Sequence, residues 1–262
     1  MSSHLLDGIH VCQWGHEGPR VVMVHGGAQG TSSAGHRNYR DQEILGSQGW
    51  QLIVPDRPGH GLSPDPGRPD DAHADGEWVA ELLGDGAHLV GHSFGGLVAL
   101  AATHKRPEAV RSLTLIEPAL LKVAAHKPAV RKMLFGMAKA FILPYSAETK
   151  AIKIMKILGI PDEFALAKDD LKSLGSSLKK ADLPPRKQMN DWLAHVRARQ
   201  IPCLVVSGSS AGFQAVGEVS AEKAGGRHTI SPIDHHFPQW NGAPFNALLT
   251  DFWTQADAAK GR

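Results

Sequence analysis

The sequence has little cysteine, little net charge and no long apolar run, and each of these scarcities excludes a class of protein. Cys12 and Cys203 are the two cysteines among 262 residues and neither belongs to a CxxC pair, which argues against a disulfide framework or a four-cysteine zinc site. The 28 basic and 26 acidic side chains leave a formal charge of +2, too little for a surface that neutralises nucleic-acid phosphates. No apolar run approaches the ~18 residues of a membrane span. We therefore expect neither a nucleic-acid nor a membrane partner.

The start of the chain and its overall composition predict where and how it folds. The first seven residues (MSSHLLD) lack the basic start and apolar stretch of a signal peptide. Few cysteines fit a reducing compartment, so we expect a cytoplasmic protein. A hydrophobic fraction of 42% is typical of folded globular chains, and the length predicts one large domain or a core with an insertion. No oligomeric state follows from the sequence.

Short apolar runs alternate with helical patterns over much of the chain. Near-continuous apolar runs of this kind are typical of strands that are covered on both faces of a sheet. Helical patterns are predicted at Asp75–Leu83, Phe94–His104 and Phe245–Ala258. Strands that alternate with helices predict an α/β fold with a mostly parallel sheet. The predicted strands are Arg20–His25, Gln51–Pro55, His88–Gly91, Ser112–Glu117, Cys203–Ser207 and His228–Ser231.

The alternation stops over residues 119–199, where the pattern is helical and is interrupted by prolines. We predict a core formed by residues 1–118 and 200–262, with residues 119–199 as an inserted helical cap. Residues 126–199 carry 15 basic and 7 acidic side chains, so the cap is basic and the rest of the chain acidic. Two interpretations stay open: a solvated basic surface, or a field that favours anionic substrates.

The pentapeptide Gly91–Gly95 (GHSFG) has the form G-x-S-x-G between a predicted strand and a predicted helix. A serine at such a junction lies on a tight turn, and the two glycines remove side chains that would collide there. The hydroxyl of Ser93 would be exposed above the helix N-terminus, where backbone N–H groups stabilise negative charge. This context favours a nucleophilic serine over a simple helix cap.

Together with two further motifs, this pentapeptide resembles the α/β-hydrolase superfamily over nearly the whole chain. His25–Gly27 (HGG) resembles its oxyanion turn, and Asp56–Ser63 (DRPGHGLS) resembles its D-x-P-G-H-G-x-S loop. The resemblance implies an α/β-hydrolase fold with a helical cap, in which the backbone N–H groups of Gly27 and Phe94 form the oxyanion hole. A shift of the turn by one position would replace Gly27 with Gly26 or Ala28. Within the loop, it implies structural roles for Asp56 and His60.

The resemblance also places the general base in Asp234–Trp240 (DHHFPQW), between the last strand and the last helix. The Phe-Pro pair sets the register and favours His236 over His235. A serine needs such a neutral imidazole to take its proton. Adjacent histidines point apart, and the spacing suggests no third ligand, so we expect no metal site.

The acid departs from the family's commonest pattern, G-x-x-D after the penultimate strand, because Ala211 stands at the position of the aspartate. Glu117 ends the preceding strand, and some subfamilies, including haloalkane dehalogenases and zearalenone-lactone hydrolases, carry their acid after that strand. A carboxylate there lies at the edge where open α/β sheets place their sites. Asp234 and Glu218 remain as alternatives to Glu117.

The sequence thus predicts a serine hydrolase that cleaves an ester or lactone of a small organic molecule through an acyl-enzyme, without a cofactor. Its predicted catalytic residues are Ser93, Glu117 and His236. A dehalogenase is disfavoured because an ether formed on serine would resist hydrolysis. A carbon–carbon bond hydrolase acting on a diketone-like substrate and a ligand-binding protein with little turnover remain as alternatives.

Overall fold

The computed structural model describes residues 2–6, 8–27, 29–30, 34–160 and 168–260, and these contain an eight-stranded sheet. Its strand order is β1-β2-β4-β3-β5-β6-β7-β8. The pairs β1–β2 and β2–β4 are antiparallel and the other pairs are parallel. The strands are β1 (Ser2–Leu6), β2 (Ile9–Trp14), β3 (Arg20–Val24), β4 (Gln51–Pro55), β5 (Ala87–His92), β6 (Val110–Ile116), β7 (Cys203–Ser207) and β8 (Arg227–Ile230).

Helices connect most of the parallel strands, which confirms the predicted α/β class. A 3₁₀ segment also precedes β4 (Arg40–Gln48), and shorter ones lie at Pro107–Ala109 and Pro238–Trp240. The α-helices are α1 (Gly35–Asn38), α2 (Ala72–Leu82), α3 (Phe94–Lys105), α4 (Pro128–Ile142), α5 (Ala147–Leu158), α6 (Lys168–Lys180), α7 (Arg186–Ala198), α8 (Ala211–Ala224) and α9 (Gly242–Lys260). Among the described residues, no helix combines the length and apolar character needed to cross a membrane.

Two apolar clusters, one on each face of the sheet, form the core. Successive residues of a strand point to opposite faces, and accordingly Val21 belongs to one cluster and Val22 to the other. The larger cluster includes residues of α2, α3, α7 and α8, and the smaller one includes Leu249 and Trp253 of α9. Coverage on both faces explains why the central strands are apolar without alternation.

The elements that the sequence patterns did not predict include the first two strands and α8. β1 and β2 contain histidine, serine and glutamine among their apolar residues, so they lack the continuous apolar pattern of a central strand. Helix α8 (AGFQAVGEVSAEKA) consists largely of small residues, which give little contrast between a buried and an exposed face. All three are stabilised by tertiary contacts: β1 pairs with β2, β2 pairs with β4, and α8 packs against β7.

Helix α7 lies within the predicted cap, residues 119–199, but packs against the core. This helix packs against α3 and α8, and Met189, Trp192, Leu193 and Val196 belong to the larger core cluster. Helix α5, in contrast, packs between α4 and α6. We therefore propose to divide the chain before α7, and "the cap" below means α4 to α6.

Candidate active site

Ser93 stands on the sharp turn between β5 and α3. Its backbone has φ of +53° and ψ of −119°, a conformation that non-glycine residues rarely adopt. The turn requires close approach of the chain, because a Cβ on Gly95 would collide with the carbonyl oxygen of Val24. The Ser93 N–H donates to the carbonyl of Ile116 at 2.9 Å, which ties the turn to β6.

A chain of hydrogen bonds runs from Ser93 through His236 to Glu117. The Ser93 Oγ lies 3.0 Å from Nε2 of His236, and the Nδ1 of the same ring lies 2.5 Å from Oε2 of Glu117. The His236 and Glu117 residues are 4% and 1% exposed. The structure thus brings together the three side chains predicted for catalysis, although they are far apart in the sequence.

Glu117 follows β6 directly and is held at both its backbone and its carboxylate. Its N–H donates to the carbonyl of Val206, and its Oε1 accepts a hydrogen bond from the Gly208 N–H at 2.7 Å. Oε2 is thereby left for His236. Because both ring nitrogens of His236 already have partners, the alternative carboxylates Asp234 and Glu218 find no free nitrogen there.

The backbone of His236 is fixed from two sides. Its N–H donates to the carbonyl of Gly159, the C-cap residue that follows α5, at 3.0 Å. Its carbonyl lies 2.8 Å from Nε2 of His92, whose Nδ1 lies 3.0 Å from the Asn38 amide nitrogen. Burial, with a smaller contribution from His236, holds the pKa of His92 well below its usual value, so the ring is neutral. Phe213 stacks on the His236 ring with centroids 4.7 Å apart.

Gly27 and Phe94, the predicted oxyanion residues, both line the cavity that contains Ser93. Gly27 has φ of +91°, so this turn position needs a residue without a side chain. Gly26 also lies beside Ser93, since a Cβ on Gly26 would come within 2.6 Å of the Ser93 Cβ. The alternative Ala28 lies outside the described residues.

A buried guanidinium supports this turn. Arg57 donates from Nε to the carbonyl of His25 and from one terminal nitrogen to the carbonyl of Gly27, each at 3.1 Å. Its other terminal nitrogen binds Asp70 at 2.7 Å and Asp75 at 3.0 Å. An Arg57 side chain with no solvent exposure therefore has its charge compensated while it holds two carbonyls of the glycine turn.

Asp56 and His60 also contact their own loop and its neighbours. Asp56 binds Nδ1 of His10 at 2.8 Å and accepts backbone hydrogen bonds from Gly35 and Leu62. The His60 ring contacts the Arg57 guanidinium and its own loop's backbone. These contacts agree with the structural roles expected for both residues.

The cavity above Ser93 has a volume of about 250 Å³ and mainly apolar walls. One side is formed by the turns after the strands and the other by the cap. The cap contributes Leu134, Met137, Phe141, Ile154, Met155, Leu158, Leu174 and Leu178. Lys122 is the one lysine or arginine among the described lining residues. No cluster of three or more potential metal ligands occurs in the part of the chain that the structure describes.

Sequence reasoning missed His92, Asn38, Arg57 and Gly159 as supporting residues. His92 and Arg57 lie inside motifs that were recognised, so their positions carried a signal. The role of Arg57 depends on Asp70 and that of His92 on Asn38, and no local sequence pattern connects these pairs. For Asn38 and Gly159 the sequence offers no signal, because a single backbone or amide contact leaves no periodicity or spacing.

Comparison with known proteins agrees with this fold. A family model described as the alpha/beta hydrolase fold matches residues 19–150, half of the chain, and the chain belongs to this family. The predictions of an α/β-hydrolase fold and of a hydrolase are thereby confirmed. A solved structure of the N-acyl homoserine lactonase AidH complexed with N-butanoyl homoserine has a TM-score of 0.70 at 20% identity, covering 98% of this chain and 97% of its own.

Curated relatives cover different shares of the chain. The pimeloyl-[acyl-carrier protein] methyl ester esterase of Chromobacterium violaceum is 28% identical over 245 residues, which are 90% of this chain and 92% of the relative. A 2-hydroxy-6-oxononadienedioate/2-hydroxy-6-oxononatrienedioate hydrolase of Paraburkholderia phymatum is 27% identical over 262 residues, 90% and 87% of the two chains. Lipase LipV of Mycobacterium tuberculosis is 34% identical over 150 residues, about half of each chain (55% and 54%).

Proposed function

We propose that the protein is a serine hydrolase that cleaves a carboxylic ester or lactone of a small organic molecule. Ser93 is the nucleophile, His236 the general base and Glu117 the residue that orients the imidazole. The observation that carries the proposal is the hydrogen-bond chain of 3.0 and 2.5 Å through the His236 ring, ending at the cavity. An ester hydrolase also agrees with the activities named for the C. violaceum esterase and the AidH lactonase.

The proposed reaction has two steps. His236 takes the Ser93 proton as Oγ attacks the substrate carbonyl, and the backbone N–H groups of Gly27 and Phe94 stabilise the oxyanion. His236 then protonates the leaving alcohol, and the acyl group remains on Ser93. In the second step His236 activates water, which hydrolyses the acyl-enzyme. Glu117 stabilises the imidazolium in both steps and needs no proton of its own.

The walls of the cavity favour substrates with an apolar portion. Leu134, Phe141 and Met155 of the cap face the same space as Ser93 and offer aliphatic and aromatic surface but no hydrogen-bond donors. Burying each methylene of a substrate against such walls contributes about 0.8 kcal/mol. We therefore propose acyl or alcohol groups of several carbons rather than short acetates as the preferred substrates.

A fluorophosphonate probe tests the nucleophile. We expect the wild-type protein to be labelled and Ser93→Ala to remain unlabelled, because only an activated serine attacks the phosphorus. Ser63, which is buried in the neighbouring loop, provides the control: Ser63→Ala should still be labelled. Absence of labelling in the wild type would contradict the proposal and favour a ligand-binding protein.

Carbon–carbon bond hydrolysis of a diketone-like substrate is the second candidate function. The similarity to the P. phymatum hydrolase over 90% of the chain favours it. A panel of p-nitrophenyl esters, lactones and a ring-cleavage diketone, assayed at one pH, separates the two candidates. Higher kcat/KM for the diketone than for every ester and lactone would replace the first candidate with the second.

A further inference from the structure

The ionisable side chains that line the cavity are compensated with one exception. Asp70 binds the Arg57 guanidinium at 2.7 Å, and Glu117 binds the His236 ring. Lys122 has no partner of opposite charge. Among the residues that the structure describes, no carboxylate lies within 4.0 Å of its ammonium group. One residue of the cavity wall therefore carries a positive charge that no described carboxylate balances.

The ammonium group of Lys122 has only weak protein contacts. Its Nζ lies 3.5 Å from the carbonyl of Leu183 and 3.4 Å from that of Pro184, both longer than a well-formed N–H···O bond. An ammonium group has three donors, so it retains capacity for a further acceptor. A carboxylate would bind it more strongly than either neutral carbonyl does.

The position of Lys122 is fixed relative to the reacting groups. It lies five residues beyond Glu117 on the segment that leaves β6, and Leu121 of this segment also lines the cavity. Leu120, two residues before it, and Val123, directly after it, are fully buried in the larger core cluster. The buried neighbours hold the backbone of Lys122 in place at the wall of the cavity.

We propose that Lys122 binds a carboxylate of the substrate at a distance from the scissile ester, so that the preferred substrates are apolar esters bearing one free carboxylate. This inference rests on the proposed ester hydrolase. Within that function it narrows the substrate class to half-esters of dicarboxylic acids and compounds of the same charge pattern. The apolar walls take the methylenes between the two ends, and Lys122 takes the charged end.

Two esters of equal chain length test the selection by charge. We compare mono-p-nitrophenyl adipate, which has a terminal carboxylate, with p-nitrophenyl hexanoate, which is neutral. Lys122→Met removes the charge and shortens the side chain by only one atom. We expect it to lower kcat/KM for the adipate about tenfold or more, and to change the value for the hexanoate less than about twofold. Equal effects on both esters, or no effect on either, would overturn the proposal.

A second lysine separates a local contact from the general field of the basic cap. Lys132 is an exposed residue of α4 and does not line the cavity, so Lys132→Met makes the same change in net charge. We expect this variant to leave the preference for the adipate unchanged. If Lys132→Met reduces the preference as much as Lys122→Met, the selection comes from the long-range field and the assignment to Lys122 is wrong.

A binding measurement keeps this inference independent of turnover. In Ser93→Ala, calorimetry gives the Kd of the adipate half-ester and of the hexanoate ester without hydrolysis. Adding Lys122→Met should raise the Kd of the adipate half-ester about tenfold and leave that of the hexanoate within about twofold. If the Kd of the adipate half-ester is unchanged while Ser93 is labelled by the fluorophosphonate, the role of Lys122 is refuted and the hydrolase is still supported. If labelling fails while the Kd depends on Lys122, the hydrolase is refuted and the carboxylate site is still supported.

Discussion

Glu117 supplies a carboxylate to His236 from the end of β6, whereas the stretch after β7 that more often carries the acid has Ala211. The geometry accommodates this because β6 and β7 are neighbours in the sheet, so their ends lie side by side. Gly208, after β7, even donates its N–H to the Glu117 carboxylate. The longer glutamate side chain after β6 thus reaches the imidazole that an aspartate after β7 would reach.

Replacing Glu117 with glutamine tests the role of this carboxylate. A neutral amide cannot stabilise the imidazolium charge. If its NH₂ group faces Nδ1, two hydrogen-bond donors meet and no hydrogen bond forms. We expect Glu117→Gln to lower kcat by about 10²–10⁴ and to keep the fold, as loss of the orienting acid does in a serine triad. The measurement is kcat on a p-nitrophenyl ester, with a thermal unfolding curve to verify folding.

Asp234→Asn is the matched control for this substitution, because Asp234 is the carboxylate closest in sequence to His236. We expect it to retain near wild-type kcat. If it abolishes activity while Glu117→Gln remains active, the acid has been assigned to the wrong residue.

At the residue scale, what could be predicted depended on motifs. Ser93 was recognisable because a strand, a G-x-S-x-G turn and a helix follow one another in the chain, and His236 because Phe-Pro sets its register. The supporting residues were not recognisable: Asn38 contacts His92 across 54 positions of sequence. Hydrogen bonds between such distant positions arise only when the sheet brings the strand ends together.

At the scale of elements, the apolar strands covered on both faces were predictable and the small-residue helix α8 was not. Two predicted strands, β4 and β7, have the observed bounds. The assignment of α7 illustrates a different difficulty. Its sequence is as helical as that of the cap, and only its contacts with α3 and α8 place it beside the core.

The placement of α7 with the core predicts a large effect for one of its residues. Trp192 is 3% exposed and belongs to the larger core cluster. We expect Trp192→Ala to lower the free energy of unfolding by about 3–5 kcal/mol, measured by urea unfolding, because it leaves a cavity in a shared core.

Phe135 of α4 provides the contrast, since it is an aromatic residue of the cap that is 74% exposed. Phe135→Ala should change the free energy of unfolding by less than about 0.5 kcal/mol. A small effect of Trp192→Ala, comparable to that of Phe135→Ala, would indicate that α7 does not contribute to the core.

At the scale of the whole molecule, buried neutral histidines connect stability with pH. Burial is the largest cause that lowers the pKa of His25, His60 and His92 below the ordinary value. The unfolded chain binds protons at these rings near pH 6.5, whereas the folded protein does not. Below that pH the unfolded state therefore binds more protons, and the free energy of unfolding falls as the pH falls.

We expect this decrease to be visible in urea unfolding between pH 7.5 and pH 5.5. Each of the three rings contributes at most about 1.4 kcal/mol per pH unit, and the slope approaches this limit only well below pH 6.5. Carboxylates of ordinary pKa stay ionised over this range and contribute little. A free energy of unfolding that is constant or higher at pH 5.5 would contradict the assignment of these rings as neutral.

The positive φ of Ser93 implies that the protein is less stable with serine at this position than it would be with glycine. A non-glycine residue in such a conformation costs on the order of 1–3 kcal/mol, and glycine adopts it freely. We expect the free energy of unfolding of Ser93→Gly, measured in urea, to exceed that of Ser93→Ala by about 1 kcal/mol. Both variants lose the hydroxyl, and only glycine relieves the backbone strain. An alanine variant as stable as the glycine variant would contradict this. Under the proposed function, this turn exchanges part of the folding free energy for a reactive hydroxyl.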